Sequence, residues 1–378
     1  MRLVVLHRGI LPPNAESIER LADTVYATEE ELPLLLPGAD ILLCWHSITT
    51  AVAAAWPEDP AQAPGWVHVA AAGVDPFLFP SLVADQNVVL TNSRGVYDQA
   101  IAEYVLGLIL ALAKDFPGTW EHQRRREWRP RDSERIGGRT ALVWGTGPIG
   151  RAVARMLRAV GMRVAGAGRT AREGDPDFGT VYEAATIRTA LADADYVVLA
   201  APLTPATRCM VDASVLAAMK TGARLLNIGR GGLVDEEALV RHLADGRLAG
   251  AALDVFAQEP LPAASPLWDM PGVIVSPHTA GEVTGWRADL ADLFLDNLRR
   301  RGQGRPLRNV VDKEKGYVRE GTDTAGTDTA GTDTAGTDTA GIATERAATE
   351  RAATEAGAIG ANTAGSSSGG GAAGPHAR

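Results

Sequence analysis

Cysteine is nearly absent from this chain of 378 residues: Cys44 and Cys209 are the only two, far apart and outside any Cys-x-x-Cys spacing. A disulfide-built scaffold is excluded, and no zinc-type ligand pattern is offered. Long apolar runs are missing as well. Residues 3–6 are apolar but stop at His7-Arg8-Gly9, short of a signal-peptide core, and residues 105–113 are too few to span a bilayer. Positive charge is in deficit, with a formal net charge of −9, which argues against a general nucleic-acid binder. The basic cluster Arg124, Arg125, Arg126, Arg129 and Arg131 is a local exception that reads as a solvated arm. These absences predict a cytoplasmic protein with no nucleic-acid partner, no membrane and no metal.

Large apolar side chains are missing from one long segment. From Gly321 the pentapeptide Gly-Thr-Asp-Thr-Ala repeats four times, and a Ser/Gly run follows at residues 366–371. Such a sequence buries too little surface to offset chain entropy, and five residues is too short a period for a solenoid. Residues 313–378 are expected to be a disordered low-complexity tail.

The rest of the chain is different. The overall hydrophobic content of 46% is ample for two cores. Residues 3–6, 41–43, 67–70 and 88–90 read as buried parallel strands, with helical stretches such as 16–21 and 50–56 between them. A second series of strands is expected at 141–144, 163–167, 196–200, 224–228, 250–255 and 273–276. Strands alternating with helices predict an α/β protein with doubly wound sheets. Residues 100–113 are apolar almost all round, so a helix there is buried on several sides, in a core, between domains or in a dimer interface. Residues 283–301 read as a helix with an apolar stripe through Trp286, Leu290, Leu293 and Leu298, and Arg299–Arg301 suit the negative end of its dipole.

Between the strand at 141–144 and a helix at 151–160 lies Gly145-Thr146-Gly147-Pro148-Ile149-Gly150. This is the strand–turn–helix context that gives a GxGxxG run its meaning. Gly145 allows the tight turn, Gly147 lets a pyrophosphate approach the backbone, and Gly150 lets helix and strand pack closely. The next strand ends in Gly168-Arg169-Thr170, where an NAD site usually carries an acid for the ribose 2′-hydroxyl. Glu173 and Asp175 come too late for that role. Arg169 can meet a 2′-phosphate, Thr170 can donate a hydroxyl, and Arg172 is a third candidate. NADPH is therefore expected over NADH, with NADH use still open.

The ordered segments AAAGVD, NSRGVYDQAIAEYVLGLIL, GTGPIG, APLTPATR, NIGRGGLVDE, LDVFAQEP and SPHTAG cover approximately residues 1–312. In this order the chain resembles the D-isomer-specific 2-hydroxyacid dehydrogenases. The Gly-Arg-Thr after the second strand, and the lack of a regulatory domain, are similar to the glyoxylate/hydroxypyruvate reductase branch. The resemblance implies a Rossmann NAD(P)-binding domain, 93–285, inserted into a flavodoxin-like substrate domain formed by 1–92 and the return helix 286–312. It implies a homodimer, with the active site in the interdomain cleft.

The same resemblance assigns roles. His278 matches the acid/base that gives a proton to the carbonyl oxygen, and Glu259 the carboxylate that orients it. Arg230 matches the clamp on the substrate carboxylate and ketone, helped by backbone N–H groups of Ala72, Gly73 and Val74. Pro202, Thr207, Ile228, Gly229 and Asp254 fall at cofactor-binding positions, Asp254 near the nicotinamide carboxamide. Trp286 either lines the substrate pocket or belongs to a core; Arg94 either approaches the pocket mouth or forms an interdomain ion pair. The implied reaction is reduction of a small 2-keto acid to its D-2-hydroxy acid. A phosphoglycerate-type dehydrogenase favouring NAD, and a dinucleotide-sensing scaffold, are the alternatives.

Overall fold

The computed structural model describes residues 1–183 and 186–318. Most of the expected tail thus lies outside the described residues. The first sheet holds β1 (Arg2–Leu6), β2 (Asp23–Ala27), β3 (Ile41–Cys44), β4 (Trp66–Val69) and β5 (Val89–Asn92). Their order is β2-β1-β3-β4-β5 and every pairing is parallel, the flavodoxin-like arrangement. The strands read as unbroken apolar runs because both faces are covered. Val4 and Leu6 enter one core with Leu42, Phe77 and Leu90. Leu3 and Val5, pointing the other way, enter a second core with Ile41, Trp66, Phe294 and Leu298. The last two belong to the helix Trp286–Gly302, so that helix packs on the first sheet. Phe294 stacks on Trp66 with centroids 5.4 Å apart.

The second sheet contains β6 (Thr140–Trp144), β7 (Arg163–Ala167), β8 (Arg172–Asp175), β9 (Gly179–Tyr182), β10 (Tyr196–Leu199), β11 (Arg224–Asn227), β12 (Gly250–Leu253) and β13 (Val273–Val275). Its order is β13-β12-β11-β10-β6-β7-β9-β8. Only β8 runs antiparallel to its neighbour. The chain leaves β6 to one side through β7 and returns on the other through β10, so a crevice opens at the carboxyl ends of β6 and β10. The apolar helix Asp98–Ala113 packs with the helix Pro148–Ala159 in the core on one face of this sheet. Core packing is therefore the observed role of this helix within the chain.

The expected tail needs one correction. Residues 313–318 are not separate from the folded body: β14 (Val311–Asp312) and β15 (Tyr317–Val318) form an antiparallel hairpin. Val311 and Val318 are buried in the first-sheet core. Lys313 Nζ donates to the carbonyl oxygens of Leu82, Val88 and Asp85. Two valines and one chelated ammonium suffice to dock so short an element, although its composition reads as polar.

Candidate active site

The glycine turn after β6 is shaped by close packing. Gly145 has φ 127°, a region L-residues with a Cβ avoid, and a Cβ there would lie 2.4 Å from the Ala200 carbonyl carbon. At Gly150 a Cβ would come within 1.8 Å of the Gly145 carbonyl oxygen. Both positions are filled by the protein itself. Gly147 is different, since a Cβ there would meet no protein atom within 4 Å. That open space lies directly before the helix Pro148–Ala159, whose first turn receives no side-chain cap. Uncapped N–H groups and the positive end of a helix dipole face it, which suits a pyrophosphate. Thr146 borders the end of β7: a Cβ on Gly168 would lie 3.1 Å from Thr146 Oγ1. Ile149 packs against the core beneath.

Arg169 and Thr170 are exposed beyond β7. The Arg169 guanidinium lies 4.7 Å from the Tyr317 ring centroid, and Nη1 donates to the Tyr317 hydroxyl. Arg172 does not join them. Its Nε donates to Asp175 Oδ2 at 2.8 Å, and Asp175 also receives Arg151. Asp175 is thus tied up in the β8–β9 hairpin. On the far side of the crevice Thr207 Oγ1 donates to Pro202 O at 2.7 Å and accepts from Thr204 N at 2.8 Å, closing that loop on itself.

Arg230 follows β11 on a turn that buried Asn227 fixes. Asn227 Oδ1 accepts from Gly229 N at 3.1 Å and Nδ2 donates to Arg230 O at 2.9 Å. Ile228 is buried, and a Cβ on Gly229 would lie 2.9 Å from both Ala201 O and Leu233. A Cβ on Gly231 would lie 1.8 Å from the Phe256 carbonyl carbon. The turn is thereby pressed against the segment leading to Glu259. The Arg230 side chain reaches across to the loop after β4, where Nε donates to Asp75 Oδ1 at 3.0 Å and a Cβ on Gly73 would fall 1.7 Å from Nη2. Ala72 and Gly73 are half-buried and Val74 is buried, with Ala72 O accepting from Asn92 Nδ2 at 2.6 Å.

His278 Nδ1 and Glu259 Oε2 are 2.8 Å apart, and Glu259 Oε1 accepts from Phe256 N at 3.0 Å. Both side chains keep about a third of their surface open, at 31% and 30%, so the imidazole is reachable while its inner nitrogen is engaged. Burial disfavours ionised Glu259. The bonds from His278 and Phe256 N–H, with the charges of His278 and Arg230, outweigh it and hold the carboxyl below its ordinary range. His278 has φ 57°, uncommon for a residue with a Cβ. The loop is clamped in that shape by Asp254, which accepts from Ser276 Oγ at 2.7 Å, Thr279 N at 3.0 Å and Ala280 N at 2.9 Å.

Asp254 is 1% exposed. Its carboxylate accepts three bonds from the segment around His278 and so shapes the histidine loop. Trp286 is half-buried, its ring centroid 6.1 Å from that of Tyr97 and 4.4 Å from the Arg287 guanidinium. Arg94 Nη1 donates to Val318 O at 3.4 Å in the terminal hairpin. Sequence reading passed over Asp75, Asn227 and Tyr317. Asp75 stands in the quoted AAAGVD segment, but its partner lies 155 positions away. Among the described residues no group of three or more side chains could hold a metal ion, and no helix is long and apolar enough to cross a membrane.

Residues 106–280 match the family described as D-isomer specific 2-hydroxyacid dehydrogenase, NAD binding domain. The chain is 35% identical over 244 residues to the glyoxylate reductase of Aeropyrum pernix, a match covering 62% of this chain and 72% of that protein. It is similar in structure to a D-isomer specific 2-hydroxyacid dehydrogenase from Xanthobacter autotrophicus Py2 in complex with NADPH and MES, with TM-score 0.67, 30% identity and coverage of 83% and 99% of the two chains. It also resembles the NADPH-dependent glyoxylate/hydroxypyruvate reductase of Sinorhizobium meliloti in complex with NADP and sulfate, with TM-score 0.70, 28% identity and coverage of 84% and 100%. With the two doubly wound sheets and the glycine turn at the switch point, these likenesses define an oxidoreductase built to hold a nicotinamide dinucleotide. The chain belongs to the D-isomer specific 2-hydroxyacid dehydrogenase family.

Proposed function

We propose that this protein reduces a small 2-keto acid of the glyoxylate or hydroxypyruvate kind to the D-2-hydroxy acid, with NADPH preferred and NADH a second donor. The observation that carries the reading is that Arg230 meets the Gly73–Asp75 loop while its charge also acts on the Glu259–His278 pair. The cofactor, when bound, supplies hydride to the carbonyl carbon. The chain's own residues do the rest. His278 Nδ1 is held by Glu259, which leaves Nε2 to give its proton to the carbonyl oxygen. Glu259 stays ionised, fixes the ring and stabilises the imidazolium.

Arg230 receives the substrate carboxylate. Its planar fork is held by Asp75 and Gly229 O, so its orientation is set before the substrate arrives. N–H groups of Ala72, Gly73 and Val74 complete the anion site. Residues 93–285 act as the cofactor domain and 1–92 with 286–312 as the substrate domain, in a cytoplasmic homodimer. Trp286, set against Tyr97, borders the substrate. The names of the Aeropyrum and Sinorhizobium relatives support the substrate class, and Arg169 supports NADPH. Nicotinamide absorbance, followed with glyoxylate or hydroxypyruvate and with NADPH and NADH in parallel, tests the proposal. Turnover faster with NADPH is expected; turnover faster with NADH overturns the cofactor preference, and none with either overturns the substrate class.

A further inference from the structure

We propose that Tyr317, carried across the molecule by the terminal hairpin, is a selectivity residue that holds Arg169 ready for a 2′-phosphate. The inference rests on the NADPH reading above and adds a residue to it. The hairpin is fixed at its base by buried Val311 and Val318 and by Lys313, whose ammonium is bound by three carbonyl oxygens. Its turn is tightened at Gly316, which has φ 75° and whose N–H donates to Asp312 O at 2.7 Å. A Cβ on Gly316 would lie 2.8 Å from Leu78 and 4.0 Å from Thr204, so the hairpin lies between the first-sheet lobe and the loop after β10. From this position Tyr317 meets Arg169, over its ring face and through its hydroxyl.

The chemistry of the pair is incomplete by itself. Among the described residues Arg169 forms no ion pair; its partner is a neutral phenol. Arg169 directly follows Gly168 at the end of β7, where a Cβ on Gly168 would lie 3.1 Å from Thr146 Oγ1 of the glycine turn. A phosphomonoester matches a guanidinium whose other face is already supported. The phenol that now accepts from Arg169 has an O–H to donate to a phosphate oxygen. A bare 2′-hydroxyl gains little from either group. Tyr317 therefore favours the phosphorylated cofactor by keeping Arg169 from sampling other rotamers.

Calorimetric titration of the full-length protein with NADP⁺, NAD⁺, 2′,5′-ADP and 5′-AMP tests this without turnover. Wild type is expected to bind NADP⁺ more tightly than NAD⁺, and 2′,5′-ADP more tightly than 5′-AMP. Tyr317→Ala should weaken NADP⁺ and 2′,5′-ADP by about five- to sixtyfold, the combined span of a cation–π contact and one hydrogen bond. NAD⁺ and 5′-AMP should change by less than about twofold. Tyr317→Phe, which keeps the ring and guards against loss of the hairpin, should show a smaller loss in the same direction. A wild type that does not discriminate overturns the cofactor reading and this one together. A discriminating wild type whose ratios survive both substitutions, or variants that weaken all four ligands equally, overturn the role of Tyr317 and leave the NADPH reading standing.

Discussion

Glu259 is placed between opposing influences: burial, which would neutralise it, and His278, Phe256 N–H and the Arg230 charge, which keep it ionised. The balance matters because only the ionised form can stabilise a protonated imidazole. Replacing His278 with Ala removes the proton donor, and kcat should fall about 10²- to 10⁴-fold, the usual span for a general acid. Glu259→Gln keeps a hydrogen-bonding group beside the ring but no charge, so its loss of kcat should be smaller than that of His278→Ala. Steady-state rates of the two variants check both statements, and near-normal turnover of His278→Ala would remove it from the mechanism. Arg230→Lys keeps the charge and loses the fork that reaches Asp75 and Gly229 O. A fall of roughly tenfold to a hundredfold in kcat/KM is expected, the value of one or two charged hydrogen bonds. Unchanged kcat/KM would show that Arg230 does not hold substrate.

Single elements decide where those residues stand. Gly73 leaves room for the Arg230 guanidinium, and a methyl there would strike Nη2, the movable end of a side chain. Gly73→Ala should therefore leave the melting temperature within a few degrees of wild type while lowering kcat/KM by displacing Arg230. Thermal scans beside kinetics separate the two effects, and a large fall in Tm would place Gly73 in the core instead. At the β8–β9 hairpin, burial opposes the charge of Asp175. Hydrogen bonds from Arg151, Arg172 and two backbone N–H groups overcome it and hold the carboxyl well below its usual range. A depressed carboxyl stabilises the fold fully above its unfolded value of about 3.9, and that contribution is lost as pH falls towards the folded value. Acid unfolding of wild type should steepen below about pH 4, and Asp175→Asn should flatten that part of the curve. Identical acid limbs would show that the cluster is not linked to folding.

This hairpin also shows which elements the sequence reveals. Strands such as Tyr196–Leu199 and Arg224–Asn227 lie in the middle of a parallel sheet and read as apolar runs because both faces are buried. The edge strand β8, Arg-Glu-Gly-Asp, is polar, and long-range ion pairs replace apolar burial there. Periodicity has nothing to detect in such a strand.

At the scale of the whole molecule, the glycine turn and the Arg230, Glu259 and His278 positions were legible because each sits in a local motif. What joins them was not: Asp75 meets Arg230 over 155 positions, and Tyr317 meets Arg169 over 148. The convergence of three donors of the histidine loop on buried Asp254 is likewise not written in its motif. The boundary of the terminal segment is the sharpest case. Composition changes visibly at Gly321, yet the folded body runs on through Val318 because Val311, Lys313 and Val318 are anchored to the first sheet. Two truncations separate these regions. Ending the chain after residue 320 removes the Thr-Asp-Thr repeats, which carry almost no large apolar side chains, and should leave Tm and kinetics nearly unchanged. Ending it after residue 310 exposes core that two valines cover and leaves three carbonyls without the Lys313 ammonium. The melting temperature should then fall by roughly 4–8 °C, and preference for the phosphorylated cofactor should fall with it because Tyr317 is gone. Equal behaviour of the two truncations would mean that the hairpin rests on the body without contributing to it; a loss already present at residue 320 would give the repeats a structural role that their composition denies.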